Sequence, residues 1–230
     1  MKFNSLFLSL FATLSVCLVS CNGDDDNTSS SWACGDTITD VDGHVYTTVA
    51  IGSECWIQQN LNTASYNDGT PIPNVTDQTD WTQLETGAWA YYDNDVVTGQ
   101  LHGKLYNWYA IENGNLCPEG WHVPTAGEFN QLVSSLGGSA IAGEKMKTTM
   151  GWNNSPDNAT NSSGLSVLPS GNRDYFGGFL GLGENVWFFT ASEDTNDPER
   201  ALWLKVTSES NTDTGTALKK DGLPCRCVLD

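Results

Sequence analysis

The chain has 230 residues, of which 28 are acidic and 10 basic, so its formal charge at pH 7 is −18. This charge repels phosphate backbones and anionic lipid head groups, which argues against nucleic acid as a partner. Charged residues make up only 17% of the chain, whereas 9 Trp, 7 Tyr and 8 Phe are present. This composition excludes a disordered acidic protein and predicts a domain with a substantial core.

Residues 1–20 have the pattern of a secretory signal. Lys2 supplies a positive charge, and residues 3–19 are mostly apolar and uncharged. The stretch is too short and too soon interrupted to predict a membrane span. Its end, Leu18-Val19-Ser20-Cys21, resembles the lipobox of bacterial lipoproteins, whose Cys is acylated and becomes the first residue after cleavage. This resemblance implies a lipid anchor at Cys21 with acyl chains such as palmitate; an ordinary cleavage site beside a chance Cys is the alternative.

Residues 21–33 predict a disordered tether behind the anchor. The segment from Asn22 to Ser31 is polar and cannot bury enough apolar surface to fold. Its run Asp24-Asp25-Asp26 resembles the acidic surface-export signal of Bacteroidota lipoproteins, although a solvated acidic linker is the alternative reading. We therefore expect an outer-membrane, cell-surface lipoprotein that contacts the membrane through its lipid anchor alone.

Cysteine content agrees with an exported protein. Once Cys17 leaves with the signal and Cys21 carries lipid, five cysteines remain, an odd number that cannot all pair within the chain. In an oxidising compartment the default is two disulfides and one remaining thiol. No Cys-x-x-Cys pair occurs, which argues against a zinc ribbon. The five are Cys34, Cys55, Cys117, Cys225 and Cys227.

A β-hairpin is predicted near the start of the folded part. Segments Thr37–Val41 and His44–Ile51 are rich in β-branched residues, and Asp42-Gly43 between them is a two-residue turn signal. The same Asp and Gly match part of a calcium loop, but its closing Glu is missing, so the pattern favours the turn. A short strand over Glu54–Gln58 follows.

The clearest predicted helix begins after Thr125. Thr125 and Glu128 form a capping-box pattern, apolar residues then recur at helical spacing from Phe129, and Gly137-Gly138 ends the helix. Two or three helices among short, mostly antiparallel strands predict a single α+β domain over residues 34–230. The other predicted helices cover residues 105–111 and 140–147, and later strands cover 186–191, 201–206 and 225–229.

Six groups of motifs occur in this order along the domain: Asp40–Tyr46; Ile51–Trp56 with Asn60-Leu61; Gly103–Ala110; Leu116–Pro124; Leu168-Pro169 with Arg173; and Arg226–Val228. Together they resemble the Fibrobacter succinogenes major paralogous domain, which is common in surface proteins of Bacteroidota and Fibrobacterota. That family is similar to the formylglycine-generating enzymes, or sulfatase-modifying factors, and to the C-type lectin-like fold group. The resemblance therefore implies a C-type lectin-like fold much more securely than it implies a function. Two segments carry the similarity to the formylglycine-generating enzymes: Trp121–Phe129 resembles the start of a helix in those enzymes, and Glu184–Phe189 resembles one of their strands.

The lectin-like resemblance also implies a disulfide pattern. It places a long-range bridge between Cys117 and Cys227. Cys34 and Cys55 would then form the second bridge, and Cys225 would remain as a free thiol.

No catalytic constellation is readable in the sequence. The three residues His44, His102 and His122 fall in separate motifs, and His122 is interpreted as a packed residue. Formylglycine-generating enzymes hold copper through two cysteines, but Cys227 occupies a position that looks structural in the family, and Phe188 replaces a calcium-associated Glu. We therefore expect no enzyme activity and no cofactor, with a formylglycine-generating oxidase as the third alternative.

Weaker patterns concern calcium and sugar. An acidic loop could collect calcium through oxygen ligands, although a solvated loop is the favoured reading. Trp152 and Tyr175 are candidates for exposed rings that stack on sugars. The expected function is a non-catalytic binding or display module for an extracellular glycan or protein, with neutral or cationic ligands; a structural or adhesin module with calcium-supported loops is the alternative. The calcium candidates are Glu193, Asp194, Asp197 and Glu199.

Overall fold

The unit that spans Ala33–Asp230 begins with three strands, continues with helices and two-residue strands, and ends with six consecutive strands. The computed structural model describes Met1, residues 33–153 and residues 159–230. The predicted signal, the lipid attachment residue Cys21 and the acidic tether therefore lie outside the described residues, apart from Met1 and Ala33. The predicted α+β class is confirmed, but the described residues contain five α-helices, so two or three was too few.

The first sheet has five strands in the order β1-β2-β3-β12-β6, and all of its strand pairs are antiparallel. The predicted hairpin is confirmed, because Gly43 takes a positive φ of 88° in the turn between β1 and β2. Only the end of the predicted strand 225–229 is a strand. The members are β1 (Thr37–Thr39), β2 (Val45–Ile51), β3 (Glu54–Ile57), β6 (Trp121–His122) and β12 (Val228–Leu229).

The second sheet has the order β11-β10-β9-β7-β8, in which β7 and β9 run parallel and the other pairs are antiparallel. A third, two-stranded sheet joins β4 (Trp89–Ala90) to β5 (Leu105–Tyr106). The strands of the second sheet are β7 (Ser170–Arg173), β8 (Phe179–Leu182), β9 (Asn185–Glu193), β10 (Arg200–Thr207) and β11 (Thr212–Leu218).

For two of the five helices, the predicted first and last residues agree with the observed ones to within one or two residues. The predicted helix over residues 105–111 begins instead as strand β5, because Leu105 and Tyr106 pair with β4, and Asn107 then caps a shorter helix. The helices are α1 (Gln78–Thr82), α2 (Val96–His102), α3 (Trp108–Glu112), α4 (Ala126–Ser135) and α5 (Ser139–Met146).

Helix α4 begins at the predicted capping box. The amide of Glu128 donates to the Thr125 hydroxyl at 3.2 Å, and the Glu128 carboxylate accepts the Thr125 amide at 2.7 Å. Phe129 and Leu132 are buried, and the ring of Phe129 lies 5.3 Å from that of Trp56. This apolar stripe packs α4 against the core, as its periodicity predicts.

Two disulfides join distant parts of the chain. Cys34 is bonded to Cys55 and Cys117 to Cys227, which are the pairs implied by the family resemblance. Cys225 is a buried free thiol, and burial raises its pKa well above the usual range. A thiol in that state is a poor nucleophile and a poor metal ligand.

Arg226 fixes the C-terminal segment in the interior. Its side chain is 1% exposed, and its guanidinium donates to Asn60 Oδ1 at 2.7 Å and to the carbonyls of Ile57 and Leu165 at 3.0 Å. These bonds satisfy a buried cation with oxygen acceptors from two separate segments. The terminal Arg-Cys pair is therefore structural.

Candidate functional site

The most exposed aromatic pair of the described residues lies in the turn between β7 and β8. We name residues 174–178 the aromatic turn. Tyr175 is 39% and Phe176 60% exposed, and their ring centroids are 4.0 Å apart. The Asp174 carboxylate closes the turn by accepting the amide of Gly178 at 2.8 Å. Two adjacent aromatic rings thus stand in solvent on a closed turn.

Contacts from neighbouring segments hold the aromatic turn in place. Gln78 Nε2 donates to the Phe176 carbonyl at 2.9 Å, and Arg173 Nε donates to the Gly177 carbonyl at 3.1 Å. Gly177 has a φ of 82°, and a Cβ there would lie 2.8 Å from two atoms of Gln78. The turn therefore requires glycine at this position, and the exposed rings sit on a fixed backbone.

Arg173 anchors the base of the turn. It is fully buried, and its guanidinium donates to the carbonyls of Val75 at 2.6 Å and Asp77 at 3.2 Å. The same group stacks on Trp81, 4.2 Å from the ring centroid. Burial lowers its pKa to about 10, which leaves it protonated at neutral pH. The chain around α1 is thereby bound to β7.

The Asp221 carboxylate is hydrogen-bonded to the aromatic turn. Its carboxylate accepts the amide of Leu218 at 3.0 Å and is also hydrogen-bonded by the amide of Tyr175. Burial raises the pKa of Asp221 to about 6, and the charge of nearby Asp174 adds to this effect. The carboxylate therefore links the end of β11 to the aromatic turn.

A cavity of about 340 Å³ opens beside the two rings, and we name it the turn cavity. Lys220 Nζ donates to the Thr82 carbonyl at its wall, at 3.2 Å. Lys219 is mostly buried, and its Nζ pairs with Glu193 at 2.6 Å. The cavity combines aromatic faces with hydrogen-bonding groups of both charges, which is the composition of a site for a polar ring. Its lining residues are Thr82, Tyr175, Phe176, Glu199, Leu218, Lys219 and Lys220.

A second cavity, of about 220 Å³, lies between α4 and strands β9 to β11, and we name it the edge cavity. None of its lining residues is charged. The indole of Trp203 stacks on Trp187 with centroids 5.0 Å apart, and it lies over Gly215, where a Cβ would come within 2.5 Å. The lining residues are Ala126, Phe129, Asn130, Thr190, Leu202, Trp203, Leu204, Thr214 and Gly215.

Of the two residues predicted as exposed stacking rings, Trp152 is buried and Tyr175 is exposed. Trp152 is 5% exposed and faces the ammonium of Lys147 at 5.4 Å, so the prediction that it is an exposed ring was wrong. Tyr175 is exposed, as predicted. Phe176 was not predicted, although the sequence Asp-Tyr-Phe-Gly-Gly is a turn signal that presents two aromatics. Lys220 was also missed, because only the tertiary fold brings it beside Tyr175.

Two of the four candidate calcium ligands are engaged in ion pairs. Glu193 pairs with Lys219 at 2.6 Å, and Asp197 pairs with Arg200 at 3.4 Å. Among residues 33–153 and 159–230, no group of three or more His, Cys, Asp or Glu side chains is arranged to hold a metal ion. Calcium binding by Glu193, Asp194, Asp197 and Glu199 therefore stays a prediction.

The positions compared with formylglycine-generating enzymes are structural in this chain. Phe188 is 1% exposed and stacks on Phe129 at 6.3 Å. Cys227 is bonded to Cys117, so it cannot act with Cys225 as a pair of thiolate ligands.

His122 is held between two carboxylates. Its ring nitrogens contact Glu128 at 2.8 Å and Asp230 at 2.6 Å. Desolvation lowers its pKa and is the largest effect, but the two carboxylates together outweigh it, so the pKa is raised. The His122 side chain is 34% exposed, so these contacts hold it at the surface of the domain and not packed in the core.

The described residues form a mixed α+β domain with two five-stranded sheets and a solvent-facing candidate site on the β7–β8 turn. A family model, the Fibrobacter succinogenes major domain, matches residues 49–229. The chain belongs to this family. The match includes every residue of the aromatic turn and all lining residues of both cavities. No curated protein and no solved structure matches the chain.

Proposed function

We propose that this protein is a surface lipoprotein whose domain binds an extracellular glycan or protein without catalysing a reaction. The observation that carries this proposal is the exposed pair Tyr175 and Phe176, held on a fixed turn beside the turn cavity. Exposed aromatic rings lose stabilisation that burial would give them, which favours a role in contacting a partner. A turn whose backbone is fixed before binding also loses little conformational freedom when its rings stack on a ligand.

A glycan-array screen of the full-length protein in detergent, with and without calcium, tests the binding proposal. We expect the array signal to fall at least fivefold in Tyr175→Ala/Phe176→Ala, since two aromatic contacts of about 0.5–1.5 kcal/mol each contribute about 1–3 kcal/mol in total. The double variant keeps the backbone hydrogen bonds of the turn. Asn130→Ala, an exposed change at the edge cavity, is the matched control and should leave the signal unchanged. Equal signal from the wild type and the double variant would contradict a site at the aromatic turn.

The anchor is proposed from the Leu18–Cys21 motif and the three Asp that follow it. No helix among the described residues is both long and apolar enough to cross a membrane. We expect a fatty-acid probe to label the wild type and not Cys21→Ser, and the labelled protein to fractionate with outer membranes. Protease treatment of intact cells tests outward display. Labelling that persists in Cys21→Ser would refute the anchor assignment.

We also propose that the domain has a C-type lectin-like fold and that the protein comes from a member of the Bacteroidota. Support comes from the family resemblance and from the implied Cys117–Cys227 bridge. An adhesin with calcium-supported loops is the alternative, and array signal that requires calcium would favour it. If the protein were an oxidase, it would convert the Cys of a Cys-x-Pro-x-Arg peptide to formylglycine in the presence of copper, oxygen and a thiol. The Cys117–Cys227 bond leads us to expect no conversion.

A further inference from the structure

Lys220 gives the turn cavity a cation that no carboxylate neutralises. Its half-buried Nζ has the Thr82 carbonyl as acceptor at 3.2 Å. No carboxylate of the described residues lies within 4.0 Å of it. The neighbouring cations are already paired, Lys219 with Glu193 at 2.6 Å and Arg200 with Asp197 at 3.4 Å. Lys220 is therefore the ammonium of this cavity that can accept an anionic partner.

The aromatic rings of the cavity are also free of cations. Lys219 directs its ammonium to Trp108, 4.5 Å from that ring centroid. Among the described residues, no Lys or Arg stacks on Tyr175 or Phe176, although eight such contacts exist elsewhere in the domain. A ligand can thus use the ring faces and the Lys220 ammonium at the same time.

We propose that the turn cavity binds a sugar ring that carries a single carboxylate, as a uronic acid does. The sugar ring stacks on Tyr175 and Phe176, and the carboxylate of the sugar pairs with the Lys220 ammonium. The exposed Glu199 carboxylate accepts hydrogen bonds from hydroxyls of the sugar. This inference rests on the proposed function, because it names the class of ligand for the same site. It also changes the earlier expectation of neutral or cationic ligands.

The net charge of −18 does not exclude such a ligand. Charges farther away than about 8–10 Å are screened at physiological ionic strength, so a carboxylate touching Lys220 responds mainly to that ammonium. A long polyanion differs, because it extends over the acidic surface and is repelled along its length. The cavity should therefore accept a lone carboxylate while the protein rejects heparin-like polymers.

Binding of matched neutral and acidic sugars tests the inference. The probes are methyl glucoside against methyl glucuronoside, and methyl galactoside against methyl galacturonoside, titrated into the full-length protein in detergent. At least one acidic sugar should bind about fivefold more tightly than its neutral partner, the ratio that corresponds to a partly exposed ion pair of about 1 kcal/mol. The ratio should shrink in 1 M salt, where the screening length is about 3 Å.

Three variants assign the preference to one side chain. Lys220→Met removes the ammonium and keeps most of the chain length, so the ratio should fall to about one. Lys220→Arg should preserve it. Lys205→Met is the control, because the Lys205 ammonium lies over Trp187 at 5.1 Å and lines neither cavity.

The outcomes separate this inference from the proposed function. Equal affinity for acidic and neutral sugars, or a preference that persists in Lys220→Met, overturns the carboxylate assignment and leaves glycan binding intact. Absence of binding by all four sugars overturns the assignment as well. If the array also shows no signal that depends on Tyr175 and Phe176, the glycan-binding proposal fails with it.

Discussion

The two disulfides should differ in their contribution to stability. The Cys117–Cys227 bridge spans 110 residues of sequence, whereas Cys34–Cys55 spans 21. In the chain-entropy model, the stabilisation grows with the logarithm of the closed loop and reaches about 5 kcal/mol for the first and about 3 kcal/mol for the second. We therefore expect Cys117→Ala/Cys227→Ala to lower the free energy of unfolding by about 1.5 kcal/mol more than Cys34→Ala/Cys55→Ala.

Urea denaturation of the oxidised proteins at pH 7 measures this difference, provided that the m-values remain comparable. Cys225→Ala is the control for loss of a buried sulfur without loss of a bridge, and it should reduce stability by about 1–2 kcal/mol. An equal or larger loss for the Cys34/Cys55 variant would refute the loop-length reasoning. Peptide mapping under non-reducing conditions that joined Cys55 to Cys225 would refute the pairing itself.

Three further predictions concern single side chains. Because the pKa of His122 is raised in the folded state, its two carboxylate contacts stabilise the fold fully below about pH 6.5, and this stabilisation is lost as the pH rises through the folded pKa. The difference in free energy of unfolding between the wild type and His122→Gln should therefore shrink from pH 5.5 to pH 8.5. The pKa of Asp221 is raised to about 6, so ionisation of its buried carboxyl should reduce stability as pH rises from about 4 to about 6, and Asp221→Asn should remove this decrease. Gly215→Ala should lower the free energy of unfolding by about 1–3 kcal/mol in urea, because the new Cβ would lie 2.5 Å from the Trp203 ring.

Results that contradict these predictions are equally specific. A His122→Gln difference that grows with pH would mean that the neutral imidazole is the stabilised form. A pH profile for Asp221→Asn that matches the wild type would place the titration elsewhere. An unchanged Gly215→Ala variant would show that the indole can move aside.

Local chemistry made some elements predictable. The α4 helix has a capping box at Thr125 and a stop at Gly137-Gly138, which act within a few residues of sequence. Helix α2 is also capped, by the Asp95 carboxylate at its start and by Gly103 at its end, but its apolar residues face solvent: Val96, Val97 and Leu101 are 56%, 74% and 66% exposed. A helix whose apolar residues point outward gives no buried stripe for periodicity to detect.

Other features depend on tertiary contacts, which the sequence does not show. Trp152 lies in a Gly- and Asn-rich segment that reads as exposed loop, but the fold buries it beside Lys147. The candidate site shows the same limit, since Tyr175 could be predicted as an exposed ring while its neighbour Lys220 is 45 residues away in sequence. Only the position of β11 relative to the β7–β8 turn brings the two side chains to one cavity.

The proposed binding site is tested most directly by the dissociation constant of the strongest array ligand, measured for the full-length wild type, for Tyr175→Ala/Phe176→Ala and for Asn130→Ala. We predict at least fivefold weaker binding by the double variant and unchanged binding by Asn130→Ala, with all three proteins equally stable in urea. Binding that is lost in Asn130→Ala and kept in the double variant would place the site in the edge cavity and contradict the central claim.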